Sequence, residues 1–267
     1  MEISFGDVDA TWGQYGLEQY PIRIGGEDVP YKAIFRHGRL VRVLGSDYYL
    51  FPNEEALKIG DAAAGLAGLE PFSPSAPGLR AEGHVLMNRE ETRMRAVYTL
   101  GRAHSVDGDE VNVGVNVFNA IDGTSSFGCG LFTYRFICGN GVIMGRENLL
   151  SVRRVHTRGL ERAVEELKAR MVVVMEEGAG LVEGYRAMAR MRVTEGLADR
   201  ILVSRLPLRV LPDYVVEEGA AVPDVSVWQL YNDVTEAIWH NARAGLRTKT
   251  FLFGQLHRVM PLQVRNT

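Results

Sequence analysis

The sequence predicts an α+β fold: an antiparallel β-meander followed by helices, a β-β-β-α core with an N-terminal hairpin before it and C-terminal helices after it. Three observations carry that reading. Glu110–Phe118 alternates with period two, Val111, Val113, Val115 and Val117 going one way and Asn112 and Asn116 the other. Arg158–Met175 instead repeats Leu160, Val164, Leu167 and Met171 along one helical stripe, with Arg162, Lys168 and Arg170 outside it. Strand-like segments dominate the first half of the chain and helix-like segments the second.

Taken in order, Tyr31–Arg36 and Arg39–Leu44 are two β-rich runs around His37-Gly38, the signature of a tight hairpin. Tyr48–Phe51 adds a short strand. Asn53 is placed to cap a helix whose first turn holds Glu54 and Glu55, where they complement the helix dipole. The proline-rich stretch Gly68–Gly78 is a connector. Glu82–Met87 and Thr92–Leu100 open the meander, with Met94, Ala96, Tyr98 and Leu100 on one face and Arg93, Arg95, Val97 and Thr99 on the other. Asp107–Glu110, DGDE, and Asp122-Gly123 carry turn chemistry. Ser126–Cys138 reads as one strand, followed by helices over Arg158–Met175, Leu181–Met191 and Thr194–Val203. Leu206–Asp224 is a proline-punctuated linker; Ser226 caps a helix with Val227, Tyr231, Val234 and Ile238 on one stripe; and Lys249–Met260 is a last amphipathic stretch. The domain plan is therefore a core over 1–205 (hairpin and helix 31–67, meander and helix 82–178, helices 181–205), then a linker and C-terminal helical region over 206–267.

Composition bounds the function. With 46% hydrophobic and 24% charged residues the chain is ordinary globular protein, long enough for a sizeable core. No apolar run approaches the ~20 residues that span a bilayer, and the acidic, polar start is unlike a signal peptide, so the expectation is a cytoplasmic protein with no membrane partner. The two cysteines, Cys129 and Cys138, are too few for a disulfide framework or a cysteine-based zinc site; on one continuous strand they would lie roughly 30 Å apart, as free thiols. The net charge of −3 gives no global basic signal, but the charges segregate. Leu131–Arg162 carries Arg135, Arg146, Arg153, Arg154, Arg158 and Arg162 against Glu147 and Glu161, and Ala237 onward carries five basic residues and no acid.

The chain holds none of the compact catalytic motifs: no GxSxG, no P-loop, no HExxH, no dinucleotide GxGxxG, and six histidines scattered singly. No catalytic residue, metal ligand or cofactor is expected from it. Arg135, between Tyr134 and Phe136 in an apolar strand, must either pair with an acid or reach a polar surface, since an unpaired buried arginine is costly. The Gly139-Asn140-Gly141 turn frees backbone amides that can cradle an anion. Ser151–Gly159, SVRRVHTRG, sets Arg153, Arg154, His156 and Arg158 at a helix N-terminus, where basic residues oppose the dipole but suit a phosphate. Arg247 and Lys249 in GLRTKT form a second basic candidate, with Phe118, Tyr134 or Trp12 as stacking aromatics.

YKAIFRHG…VLGSDYYLFPNEEAL (31–57), NVFNAIDGTSSFGCGLFTYRFICGNG (116–141), RRVHTRGLERAVEELK (153–168) and WQLYNDVTEAIWH (228–240) together resemble a phage/plasmid-like protein family of unknown function, domain of unknown function 932. The specific part is the second stretch, with Asn119, Asp122-Gly123, Ser125, Arg135, Cys138 and Asn140; the chain departs at Cys138-Gly139-Asn140, where a bulkier residue is expected before the asparagine. The meander-then-helix plan is also similar to the core of single-strand annealing recombinases, which form rings or filaments and hold single-stranded DNA in a basic groove. That likeness implies a homo-oligomeric, non-enzymatic protein that binds and anneals single-stranded DNA in recombination or replication. Arg93, Arg95, Arg135, Asn140, Arg153, Arg154, His156, Arg158, Arg247 and Lys249 would then contact the strand, with Asn119, Asp122, Gly123 and Ser125 shaping the loop. Two other readings stand beside it: a metal-dependent nucleic-acid-processing enzyme using Asp107, Asp109, Glu110 or Asp122, and a protein-interaction module whose arginines pair with Glu161, Glu165 or Glu166.

Overall fold

A computed structural model describes residues 2–74, 80–135, 140–143, 148–149, 160–216, 224–241 and 243–260. Strands come first and most of the helices after them, as the sequence predicts. The N-terminal layer is a four-stranded antiparallel sheet in sequential order: β1 (Ile3–Phe5), β2 (Leu17–Ile24), β3 (Glu27–Arg36) and β4 (Arg39–Gly45). The expected hairpin is its β3–β4 unit, with His37 at φ 48° and Gly38 at φ 73° in the two-residue turn. β2 was not legible because it runs through Pro21, a residue that argues against a strand; it sits beside a register shift between Pro21 and Arg23.

Helix α1 (Asn53–Leu66) follows. Its N-cap is Pro52, not Asn53. The Asn53 side chain turns inward, donating to the Glu91 carbonyl at 3.0 Å and accepting from Asn119 Nδ2 at 2.9 Å, so a tertiary lock replaces the local cap.

The second sheet holds, among the described residues, eight strands: β5 (Glu70–Pro71), β6 (Arg80–Glu82), β7 (Val85–Met87), β8 (Arg93–Val106), β9 (Asp109–Ala120), β10 (Gly128–Arg135), β11 (Asn140–Ile143) and β12 (Asn148–Leu149). Its centre is the long β8–β9–β10 meander, turned by Asp107-Gly108, both at positive φ. The strand expected over Ser126–Cys138 begins at Gly128 and is described as far as Arg135; Cys138 lies outside the described residues, and Cys129 is buried. Between Thr99 and Ala103 the β8 register shifts opposite Gly114 of β9. A Cβ at Gly114 would lie 2.1 Å from the Tyr98 carbonyl oxygen, so this strand glycine marks a close backbone approach. Gly114→Ala is expected to cost roughly 3 kcal/mol, the upper end of overpacking penalties, measured by urea unfolding; a cost under about 1 kcal/mol would show that the strands can part without penalty.

Both faces of this sheet are covered. On one, α1 packs against β8 and β9, and α2 (Leu160–Arg190) against β9 and β10. Helix α2 is continuous where two helices were expected. The sequence EEGAG reads as a breaker, but a Cβ at Gly178 would sit 2.5 Å from Val113 Cγ1 and 3.0 Å from Leu131 Cδ1, so the glycine lets the helix lie down on the sheet. Leu167, Met171, Val174, Leu181 and Met188 are fully buried along that line, each worth about 1.5–3 kcal/mol of transfer free energy.

The chain then forms α3 (Glu195–Leu202), capped by Thr194, and the single turn α4 (Asp213–Val216). Helices α5 (Val227–Trp239) and α6 (Leu246–Val259) complete it. Ser226 caps α5 as expected, its Oγ accepting from Gln229 N at 3.1 Å. These C-terminal helices join the same hydrophobic cluster as the sheet. Helix α6 and the C-terminal end of α5 cover its other face, where Thr250 reaches Arg95 and Trp239 packs on Phe132, while the start of α5 packs on the α2 side through Trp228 and Tyr231 against Tyr185. The Arg93–Thr99 face, which a strand pattern alone leaves open to solvent, is therefore mostly buried.

Candidate nucleic-acid interface

Arg135 answers the question that its apolar strand poses. It pairs with Asp109: Nη2 donates to Oδ1 at 2.9 Å, and Nε lies 2.8 Å from Oδ2 as a charge contact outside hydrogen-bond geometry, with Arg135 14% exposed. Asp109 also accepts from Trp228 Nε1 at 2.9 Å and Asn232 Nδ2 at 3.4 Å, so one carboxylate ties β9, β10 and α5 together. Of the two alternatives open to Arg135, acid pairing is the one realised, and a backbone phosphate there would have to displace a buried carboxylate.

Lys249 requires a correction. It is fully buried, donating to the Trp239 carbonyl and lying 5.4 Å from that indole's centroid. Burial pulls its ammonium down to about 8. The residue falls on the core side of α6, so it presents no surface charge to a strand.

Arg93, Arg95 and Arg247 do come together. They line a groove of about 240 Å³ between the β8–β9 strands and α6, along with Phe118, Asn119, Ser125, Thr250 and Phe251, and no acidic side chain is among the described residues that line it. Arg95 is 8% exposed, stacked 5.1 Å over the Phe118 ring, bonded to Asn116 Oδ1 and 3.3 Å from Thr250 Oγ1. Arg93 uses only Nε, which donates to Asp122 at 2.8 Å and Thr124 Oγ1 at 3.0 Å; its terminal nitrogens hold no partner among the described residues. Arg247 is exposed, and so is Phe251, at 50%. Helical spacing puts Arg247, Thr250 and Phe251 on one face of α6 while Lys249 takes the other.

The loop residues hold this groove in shape. Asn119 Nδ2 donates to the Phe51 carbonyl at 2.8 Å as well as to Asn53. Asp122 accepts from Thr124 N at 3.0 Å and from its hydroxyl, a side-chain-to-backbone turn, and Gly123 follows at φ 70°. Ser125 lines the groove. Asn140 pairs with Arg135 across β10–β11; Arg153, Arg154, His156 and Arg158 lie outside the described residues.

Phe251 is the functional candidate that sequence reasoning missed. Its signal was available: position four after Arg247 in an amphipathic stretch is on the arginine's face. The expected stacking aromatics are less exposed: Phe118 is buried beneath Arg95, and Tyr134 packs on Phe72. As for the acids, no cluster of three or more His, Cys, Asp or Glu arranged for a metal ion occurs among the described residues.

Fold and groove together define an α+β domain whose meander carries a cationic, aromatic groove closed by its C-terminal helix. The chain belongs to the family described as Domain of unknown function (DUF932), whose model matches residues 41–260. No curated protein and no solved structure matches it. Among the described residues no helix is long and apolar enough to cross a membrane.

Proposed function

We propose that this protein binds single-stranded DNA in the groove between β8–β9 and α6 and promotes annealing, acting as a homo-oligomeric ring or filament in recombination or replication in the cytoplasm. The observation that carries the reading is the groove's lining: three arginines and two phenylalanines, with no acid among the described residues that line it. Arginine forks suit phosphate oxygens, and an exposed aromatic face offers a base a stacking platform that every sequence can use. Annealing needs no bond chemistry and no cofactor. It needs the backbone neutralised while base edges stay free for a second strand. The metal-dependent enzyme finds less support, since Asp109 is engaged by Arg135, Trp228 and Asn232, and Asp122 by Arg93 and Thr124.

The test is fluorescence anisotropy with a labelled single-stranded oligonucleotide at several salt concentrations, beside a strand-annealing assay. Log affinity should fall linearly with log salt. Arg247→Ala should make the slope shallower by about 0.7, one phosphate contact. Phe251→Ala should weaken binding by about 1–3 kcal/mol with the slope unchanged. Absence of binding at every salt concentration would sink the proposal.

A further inference from the structure

A second and larger cleft, of about 870 Å³, lies between the tip of the β3–β4 hairpin and the turn leading into β8. Arg36, His37 and Arg39 line it from the hairpin; Arg89, Glu91 and Arg93 line it from the turn. Arg93 lines the α6 groove as well, so the two spaces meet at that side chain.

The charge balance decides which groups are available. Arg93 is paired with Asp122, and Arg36 with Glu54 at 2.8 Å and Glu91 at 3.4 Å. Arg39 and Arg89 remain exposed on opposite walls, with no acid partner among the described residues; Glu90 beside them accepts from Asn88. Deeper in the cleft, Arg36 is only 9% exposed, yet its Nε and Nη1 have no hydrogen-bond partner among the described residues. Buried guanidinium donors without acceptors are costly and uncommon. The turn itself is fixed in an unfavourable conformation. Glu91, not a glycine, holds φ 55°, its carbonyl bound by Asn53 and its carboxylate by Arg36 and Arg80. Such strain persists where surrounding contacts over-determine it, and it gathers at ligand-holding sites.

We infer that this cleft is a second phosphate subsite, in which Arg39 and Arg89 clamp a phosphate from opposite walls above Arg36, and that it continues the path of a strand leaving the α6 groove past Arg93. The inference rests on the strand-binding reading for its ligand. Arg36, His37 and Arg39 lie before residue 41, where the family match begins, so one wall of the subsite comes from this chain's own N-terminal sheet. The chemistry recognised is a phosphate ester, whether an internal phosphodiester or a free nucleotide.

Wild type, the Arg39→Ala/Arg89→Ala double variant and Arg247→Ala are compared by anisotropy on oligothymidylates of about 4 and about 16 nucleotides, lengths at either end of common single-strand site sizes. The double variant should make the salt slope for the long strand shallower by about 1.4, two contacts, and leave the short strand unchanged; Arg247→Ala should affect both. A double variant that binds the long strand with the wild-type slope overturns the subsite while leaving the strand-binding reading intact. Should wild type bind no strand, that reading fails, and the cleft is judged with a nucleoside monophosphate by thermal shift. Stabilisation of wild type that the double variant loses supports the cleft as a nucleotide site; equal or absent stabilisation overturns it.

Discussion

Asp109→Ala is expected to destabilise the protein by about 3–5 kcal/mol, the usual cost of removing one partner from a buried ion pair. The loss exceeds that of an ordinary surface carboxylate because three hydrogen bonds converge on this one, from Arg135 Nη2, Trp228 and, at longer range, Asn232, with the Arg135 charge held beside it. Their acceptor vanishes where water has little access, Arg135 being 14% exposed. At about 2–4 °C per kcal/mol for a chain of this size class, the midpoint should drop by roughly 10 °C. A double-mutant cycle with Arg135→Met separates pairing from packing. The double variant should cost less than the sum of the singles, since an apolar replacement leaves no orphaned charge. Arg135→Met also discriminates the roles open to that arginine. A structural arginine lowers the unfolding midpoint and leaves the salt slope of DNA binding alone, whereas a phosphate contact does the reverse. Additive single-variant losses would refute the pairing account.

Part of this was legible and part was not, for reasons that individual residues make plain. Val111, Val113, Val115 and Val117 announce a strand through local periodicity, and Ser226 announces a cap through chemistry three residues away. The Arg135–Asp109 pair, 26 residues apart, needs the hairpin register: once Gly128 faces Phe118, Arg135 must face Val111, and Asp109 becomes its diagonal neighbour. The covering of the Arg95 face was beyond local reasoning, because Thr250 arrives from 155 residues away. Gly178 shows a different failure. A glycine in a helix-like pattern is read as a break, yet here its missing side chain is what two neighbours require. The groove was legible in its residue types and not in its membership. Arg93, Arg95 and Arg247 were all named from sequence, while Lys249, two positions from Arg247, belongs to the core.

The same helix predicts how the protein responds to acid. His257 of α6 is bonded through Nε2 to the Tyr231 hydroxyl at 2.9 Å, and Tyr231 continues to Tyr185 at 3.2 Å and Tyr185 to Thr133 at 3.3 Å, a line from α6 across α5 and α2 to β10. Burial holds the His257 imidazolium down to about 4, against 6.5 for an ordinary histidine. The folded-state value is the lower one, so between these limits the unfolded chain binds a proton that the folded chain refuses. Stability is therefore complete above pH 6.5 and is lost as the pH falls toward 4, by up to about 3 kcal/mol from this group. His257→Gln retains a polar partner for Tyr231 without titrating. The difference between wild-type and variant unfolding free energies should change across that window, while the carboxylates common to both cancel. Because Arg247, Thr250 and Phe251 ride on the same helix, the strand binding proposed above should weaken over the same pH range in wild type and less in the variant. Parallel stability curves for the two proteins from pH 6.5 to 4 would mean that the ring is already solvated and that the Tyr231 contact does not hold α6 in place.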